Sequence, residues 1–278
     1  MKITNRIHQL KIEFHVTPEI KRFVHLYIIE GKHLYLIDTG VDGAEEIVKG
    51  YLQSIGRRME EIAAILLTHS HPDHIGAAYK ICKASNCKIY ACAGEREWIE
   101  NIDKQFADRP IPNFYALVNQ SAKITNIVQD GDVLNFEEGI TVRVVNAAGH
   151  SQESIAFHFL EEQVLFTGDA VPVVGDIPIY ISAKKSLDTL ARLEQLQGVT
   201  MYLSAWDEPK DLNSGIKAIQ MAAAYLQKLD ATTHEIAALF PDQDKAELFK
   251  KICKKLDVGK LTENPLFKMS IDSNIDGT

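Results

Sequence analysis

The sequence predicts an α/β domain over residues 1–208 followed by a helical region over 209–278. Three observations carry this reading. Strand-like and helix-like segments alternate up to residue 208. Beyond Pro209 only helical patterns remain. The short apolar run 63–67 has the character of a strand covered on both faces.

The elements follow in order. Segments 10–16 and 23–30 are rich in β-branched and aromatic residues and read as strands. Gly31-Lys32 turns the chain into a hairpin partner at 33–37, which ends on Asp38-Thr39-Gly40. Residues 44–55 read as a helix, with Ile47, Tyr51 and Leu52 at helical spacing and Gly56 behind them. The run 63–67 leads directly into Thr68-His69-Ser70-His71-Pro72-Asp73-His74. A helix is expected over 75–84, a strand over 88–91 and a helix over 95–102. Two prolines break any helix in Arg109-Pro110-Ile111-Pro112-Asn113-Phe114-Tyr115, which reads as an insertion able to cover a site. Strands are expected at 133–136, 141–145, 155–159 and 164–166, a helix at 187–196 and a last strand at 200–203. Helices near 215–229, 234–239 and 245–256, then a tail, complete the chain.

Composition narrows the function. With 278 residues the chain is long enough for a sizeable core, and 46% hydrophobic content argues against disorder. A net charge of -8 disfavours nucleic acid, whose phosphates need a basic surface, and anionic membranes. The acidity is uneven. Residues 209–278 hold ten lysines and ten carboxylates, so the surplus lies entirely in 1–208. Lys250, Lys251, Lys254 and Lys255 read as a solvated helix face. The four cysteines form no C-x-x-C pair and read as reduced thiols. MKITNRIHQLKIEF lacks the apolar centre of a secretory signal, and no run of about 18 apolar residues exists. A cytoplasmic protein is expected, and homo-oligomerisation stays open.

The informative string is His69-Ser70-His71-Pro72-Asp73-His74, with three imidazoles and one carboxylate in six residues. Together these groups suit zinc, iron and manganese. His69 and His71 lie two apart and project to the same side of an extended loop. Asp73 and His74 fall where a helix should begin, and Pro72 suits that start. The cluster therefore addresses two neighbouring metal positions.

This string resembles the H-x-H-x-D-H signature of the metallo-β-lactamase superfamily. Leu34-Tyr35-Leu36-Ile37-Asp38-Thr39-Gly40, Ala148-Gly149-His150-Ser151 and Leu165-Phe166-Thr167-Gly168-Asp169 resemble three further landmarks, in the correct order. The resemblance covers about residues 1–208. It implies an αββα sandwich of two mixed β-sheets flanked by helices, with metals at one edge between the sheets. It also implies that His69, His71 and His150 hold a first metal, Asp73 and His74 a second, and that Asp169 bridges them. Asp38 is then a residue that orients the ligand loops. One position departs from the pattern. Where the superfamily usually carries a last histidine, this chain reads Leu203-Ser204-Ala205-Trp206-Asp207. Trp206 takes that place, and indole cannot ligate a metal. A weakened second site, Asp207 as substitute ligand, or a single metal are the alternatives.

The resemblance implies a hydrolase of a small ester, thioester or lactone, using a metal-bound hydroxide with one or two zinc ions, or alternatively iron or manganese. Asp73 is the expected catalytic carboxylate, which orients that hydroxide and passes a proton to the leaving group. Arg109, Phe114 and Tyr115 are candidate substrate contacts for a small molecule. The helical region resembles in layout that of hydroxyacylglutathione hydrolases. Two other classes compete: an iron oxygenase similar to persulfide dioxygenases, and a non-catalytic metal-binding protein with Trp206 in the site.

Overall fold

The computed structural model describes residues 1–277. Two six-stranded mixed sheets form its centre. The first sheet holds β1 (Ile7–His15), β2 (Lys21–Glu30), β3 (Leu34–Ile37), β4 (Ile62–Leu66), β5 (Lys88–Ala91) and β6 (Asn126–Ile127), in that spatial order. Its first three strands are antiparallel and the rest parallel. The second holds β7 (Val133–Glu137), β8 (Ile140–Asn146), β9 (Ile155–Phe159), β10 (Val164–Gly168), β11 (Met201–Ser204) and β12 (Lys210–Asp211), again in sequence order across the sheet. Only its β10–β11 pair is parallel.

The side-chain alternation of the strands separates three apolar layers. On β4, Ile65 joins the layer under helices α1 (Ala44–Ser54), α2 (Pro72–Ile75) and α3 (Ala78–Ser85), while Ala64 and Leu66 face the second sheet. The middle layer is rich in aromatics, with Tyr27, Tyr35, Phe157, Phe159 and Phe166 between the sheets. Each such fully buried side chain contributes on the order of 2 kcal/mol. The outer layer packs Leu165 and Tyr202 of the second sheet against α7 (Ala183–Gln195), α8 (Leu212–Leu239), α9 (Lys245–Leu256) and α10 (Pro265–Asp276). The architecture is the αββα sandwich. Residues 209–277 share one continuous apolar cluster with α7 and the second sheet.

Several elements differ from expectation for local reasons. The helix expected over 75–84 is two helices, because the chain leaves helical geometry at Ala77, with φ -94° and ψ 0°. Gly76 lies so close to the backbone of Val41, Asp42 and Leu117 that a Cβ would overlap them. The helix expected at 95–102 is instead α4 (Arg96–Glu100) and α5 (Ile102–Asp108). They meet at Asn101, whose side chain caps α5 by accepting the Lys104 N–H at 3.0 Å. The insertion contains a single turn, α6 (Phe114–Leu117). The break expected between residues 229 and 234 is absent, and α8 runs through it. There the Thr233 hydroxyl donates to the Leu229 carbonyl at 2.8 Å, so a poor helix former is satisfied within the helix. The tail contains α10, started by Asn264 as cap and Pro265 in the first turn.

The strand directions place the site. β3 to β6 run parallel, as do β10 and β11, so the ends of β4, β10 and β11 open on one edge of the sandwich. Ligand sites in α/β sheets form outside such carboxyl ends.

Candidate metal centre

Five segments supply the centre. The loop after β4 carries His69 and His71, and α2 carries Asp73 and His74. The turn between β8 and β9 carries His150, the end of β10 leads to Asp169, and the end of β11 leads to Trp206. Pro72 opens α2 with His71 in extended conformation before it. This puts His71 on the loop side and His74 on the helix side of one junction.

One nitrogen each from His69, His71 and His150 and one oxygen of Asp169 lie within 4.8 Å of one another. His69 Nε2 is 3.0 Å from His71 Nδ1, and His150 Nε2 is 2.8 Å from the same atom. The other ring nitrogens show which atoms face inward. The Thr68 hydroxyl is committed to Asp38 at 2.8 Å, so its oxygen accepts His69 Nδ1–H at 2.9 Å. His150 Nδ1–H donates to the Ile179 carbonyl at 2.7 Å. Both imidazoles therefore aim an Nε2 lone pair at His71 Nδ1, which carries at most one proton. Converging lone pairs beside a carboxylate fit a cation, and this donor set suits zinc, iron or manganese. Burial pushes the pKa of all three imidazoles down, which keeps them neutral and able to ligate.

Asp169 stands between two positions. Its Oδ2 is 3.3 Å from His150 Nε2 and 4.0 Å from His69 Nε2, while its Oδ1 is 3.2 Å from His74 Nε2. Asp73 Oδ2 is 3.8 Å from the same His74 nitrogen. Asp38 accepts His74 Nδ1–H at 2.8 Å and the Thr68 N–H at 2.8 Å. It orients the His74 ring directly and, through Thr68, the His69 ring. Burial opposes charge on His74, but Asp169, Asp38 and Asp73 outweigh it and hold its pKa well above the ordinary value. Burial and Asp169 push Asp73 up against the opposing pull of His74. Burial also acts to raise Asp169, but His74 and His150 outweigh it and hold the carboxyl well below the usual range.

Trp206 lines the same cavity as Asp73 and Asp169. Ala205 fixes it there, donating its N–H to the Gly168 carbonyl at 3.1 Å and accepting the His25 N–H at 2.8 Å. The indole packs edge-on against Phe14 at 6.4 Å, and the Arg22 guanidinium covers it at 4.7 Å. Arg22 in turn donates two hydrogen bonds to Asp176, at 2.9 and 2.7 Å. Asp207 is not brought into the cluster. Its carboxylate pairs with Lys210 at 2.9 Å and lines a separate cavity.

The insertion residues divide. Arg109 lines the main cavity and hydrogen-bonds His71 Nε2. Phe114 is buried on the cavity wall. Tyr115 is 46% exposed, and its hydroxyl donates to Asp103 at 2.9 Å.

Sequence reasoning missed Glu95, Gln105 and Arg22. Glu95 is 2% exposed. It accepts the Ser70 N–H at 3.0 Å and the Ser70 hydroxyl, then Ser151 Oγ–H at 2.6 Å and Glu153 N–H at 2.8 Å. One carboxylate thus clamps both ligand loops. Gln105 donates to the Ser70 carbonyl at 2.7 Å from the cavity side. Gly149, at φ +129°, lies where any Cβ would strike the backbone of Ser186.

These features match known proteins. The metallo-beta-lactamase superfamily profile matches residues 21–206. A hydroxyacylglutathione hydrolase of Hyphomonas neptunium is 30% identical over 156 residues, 56% of this chain and 52% of that protein. A probable metallo-hydrolase of Bacillus subtilis is 26% identical over 181 residues, 65% of this chain and 72% of that one. The match thus spans about half of the Hyphomonas relative. A metallo-beta-lactamase family protein from Thermus thermophilus superposes with a TM-score of 0.75 at 20% identity, over 99% of this chain and 93% of that one. The C-terminal helices therefore fall within a fold found elsewhere. The chain belongs to the metallo-beta-lactamase superfamily. The relatives named above are hydrolases by designation.

Proposed function

We propose that this protein is a metal-dependent hydrolase of a small ester, thioester or lactone. One observation carries the reading: three imidazole nitrogens and the Asp169 carboxylate converge within 4.8 Å at the wall of a cavity of about 290 Å³. A divalent cation held there supplies Lewis acidity and lowers the pKa of a water toward neutrality. His69, His71 and His150 hold it, and Asp169 balances its charge. Asp73 lines the cavity, which supports a role in orienting the attacking water. Asp73 would accept a proton from water as its oxygen adds to the acyl carbon, and would return that proton to the leaving group as the C–O or C–S bond breaks. Zinc is the first choice for the cation, with iron and manganese as alternatives. The designation of the Hyphomonas relative supports a thioester among the substrates.

The test is a panel of esters, thioesters and lactones, given to protein stripped and reloaded with zinc, iron or manganese. Turnover in at least one class is expected. No turnover with any of the three metals overturns the reading, and metal retained without turnover favours a non-catalytic binder. The second reading, an iron oxygenase acting on a persulfide, is favoured by Trp206 at the last ligand position. Oxygen uptake by iron-loaded protein with glutathione persulfide would establish it.

A further inference from the structure

Resting on the hydrolase reading, we infer that the substrate carries an uncharged apolar acyl group, which enters a pocket closed by the C-terminal helix α10.

The cavity is two-sided. Its polar end is the metal centre, with His71, Asp73, His150 and Asp169. Away from these, four separate segments supply aliphatic or aromatic side chains. They are Val16 and Ile20 from the β1–β2 turn, Ile111 and Phe114 from the insertion, Val173 after β10, and Leu266 from α10. The segments are fastened to one another. Asn113 donates to the Val16 carbonyl at 2.7 Å, joining insertion and turn. The Arg22–Asp176 pair joins β2 to the segment after β10. The Tyr180 N–H donates to Ser270 Oγ at 3.0 Å, joining that segment to α10. The pocket is therefore built from linked parts.

Of its two arginines, Arg22 is already paired. Arg22 meets Asp176 through both terminal nitrogens, and Arg109 stands at the metal end of the cavity against His71. No lysine lines the cavity among the described residues. A carboxylate placed among the side chains of Val16, Ile111 and Leu266 would lose its hydration against apolar surface, which is costly. An alkyl or aryl group gains by the same burial.

The experiment uses the full-length zinc-loaded protein and p-nitrophenyl esters from acetyl to octanoyl. About a fourfold rise in kcat/KM per added methylene is expected until the pocket is full. An ester of the same length ending in a carboxylate should be poorer. Leu266→Trp should move the optimum to shorter chains with zinc content unchanged. Ile20 is 51% exposed, so its replacement is expected to cost little stability. Ile20→Asp should therefore weaken octanoyl turnover more than acetyl turnover. A flat series, a preference for the carboxylated ester, or an optimum unmoved in both variants overturns the inference. Calorimetric binding of alkyl hydroxamates separates this from the parent reading. Affinity rising with chain length in a protein that hydrolyses nothing would leave the pocket standing and the hydrolase fallen. Flat affinity would overturn the pocket alone.

Discussion

Glu95 Oε1 accepts the Ser151 hydroxyl at 2.6 Å, across 56 positions of sequence. With its other oxygen on Ser70, this buried carboxylate locks the His69–His71 loop to the His150 turn. In Glu95→Gln an NH₂ group faces two donors. Each charge-assisted bond lost costs about 1.5–3 kcal/mol. The variant should unfold at clearly lower urea, and its zinc affinity, measured by chelator competition, should fall about 10–100-fold. Unchanged affinity would show that the clamp does not set the ligand geometry.

The string from His69 to His74 stood out in the sequence because His69, His71, Asp73 and His74 are local and chemically unusual together. Glu95 was not, because it stands in Glu95-Arg96-Glu97, where nothing local marks it as buried. Its partners come from residues 70 and 151–153. Strands β1 to β5 were legible from residue type and alternation. The two-residue strands β6 and β12 were not, since pairing with β5 and β11 alone defines them. The close backbone packing at Gly76 was not legible either, since it involves the distant Val41, Asp42 and Leu117. The start of α10 had a readable signal, Asn264 followed by Pro265, which the expected tail passed over.

Asp38 fixes the His74 tautomer by accepting its Nδ1–H. Asp38→Asn offers an NH₂ in place of that acceptor and favours the tautomer with its proton on Nε2, the atom facing Asp169. Asn tolerates the left-handed φ of 58°, so the fold should persist. Binding of a second cation, followed by titration calorimetry, should weaken by about 10–100-fold while the first stays bound.

Helix α10 acts on the metal centre through one segment. Asn274 donates to the Tyr180 hydroxyl at 3.1 Å and Ser270 accepts the Tyr180 N–H, while the neighbouring Ile179 carbonyl receives His150. Ser270→Ala leaves a buried N–H without its partner, a cost of about 1–3 kcal/mol. The visible spectrum of the cobalt-substituted variant should change with loss of His150 alignment. A spectrum identical to wild type would confine Ser270 to stability.

His158 predicts an acid limit. Burial lowers its pKa, its Nε2–H donates to the Gly198 carbonyl at 2.9 Å, and its Nδ1 is buried without a partner. Burial likewise lowers His8 and His25. Below the unfolded value of 6.5 the unfolded chain binds more protons than the native one, so stability falls as pH drops. Urea midpoints of metal-free protein should decrease from pH 7.5 to 5.5, and His158→Gln should flatten that slope.

Trp206 lines the same cavity as Asp73 and Asp169. Trp206→His should raise affinity for a second cation by at least tenfold in calorimetry, since each added imidazole completes a tetrahedral set. No gain would mean that the backbone between Gly168 and His25 aims residue 206 elsewhere.

The most direct test of the metal centre is elemental analysis of protein purified without chelator. Near one zinc, iron or manganese per chain, lost in His150→Ala, is the predicted result. Protein that carries none of these metals, and takes up none on titration, would contradict the account.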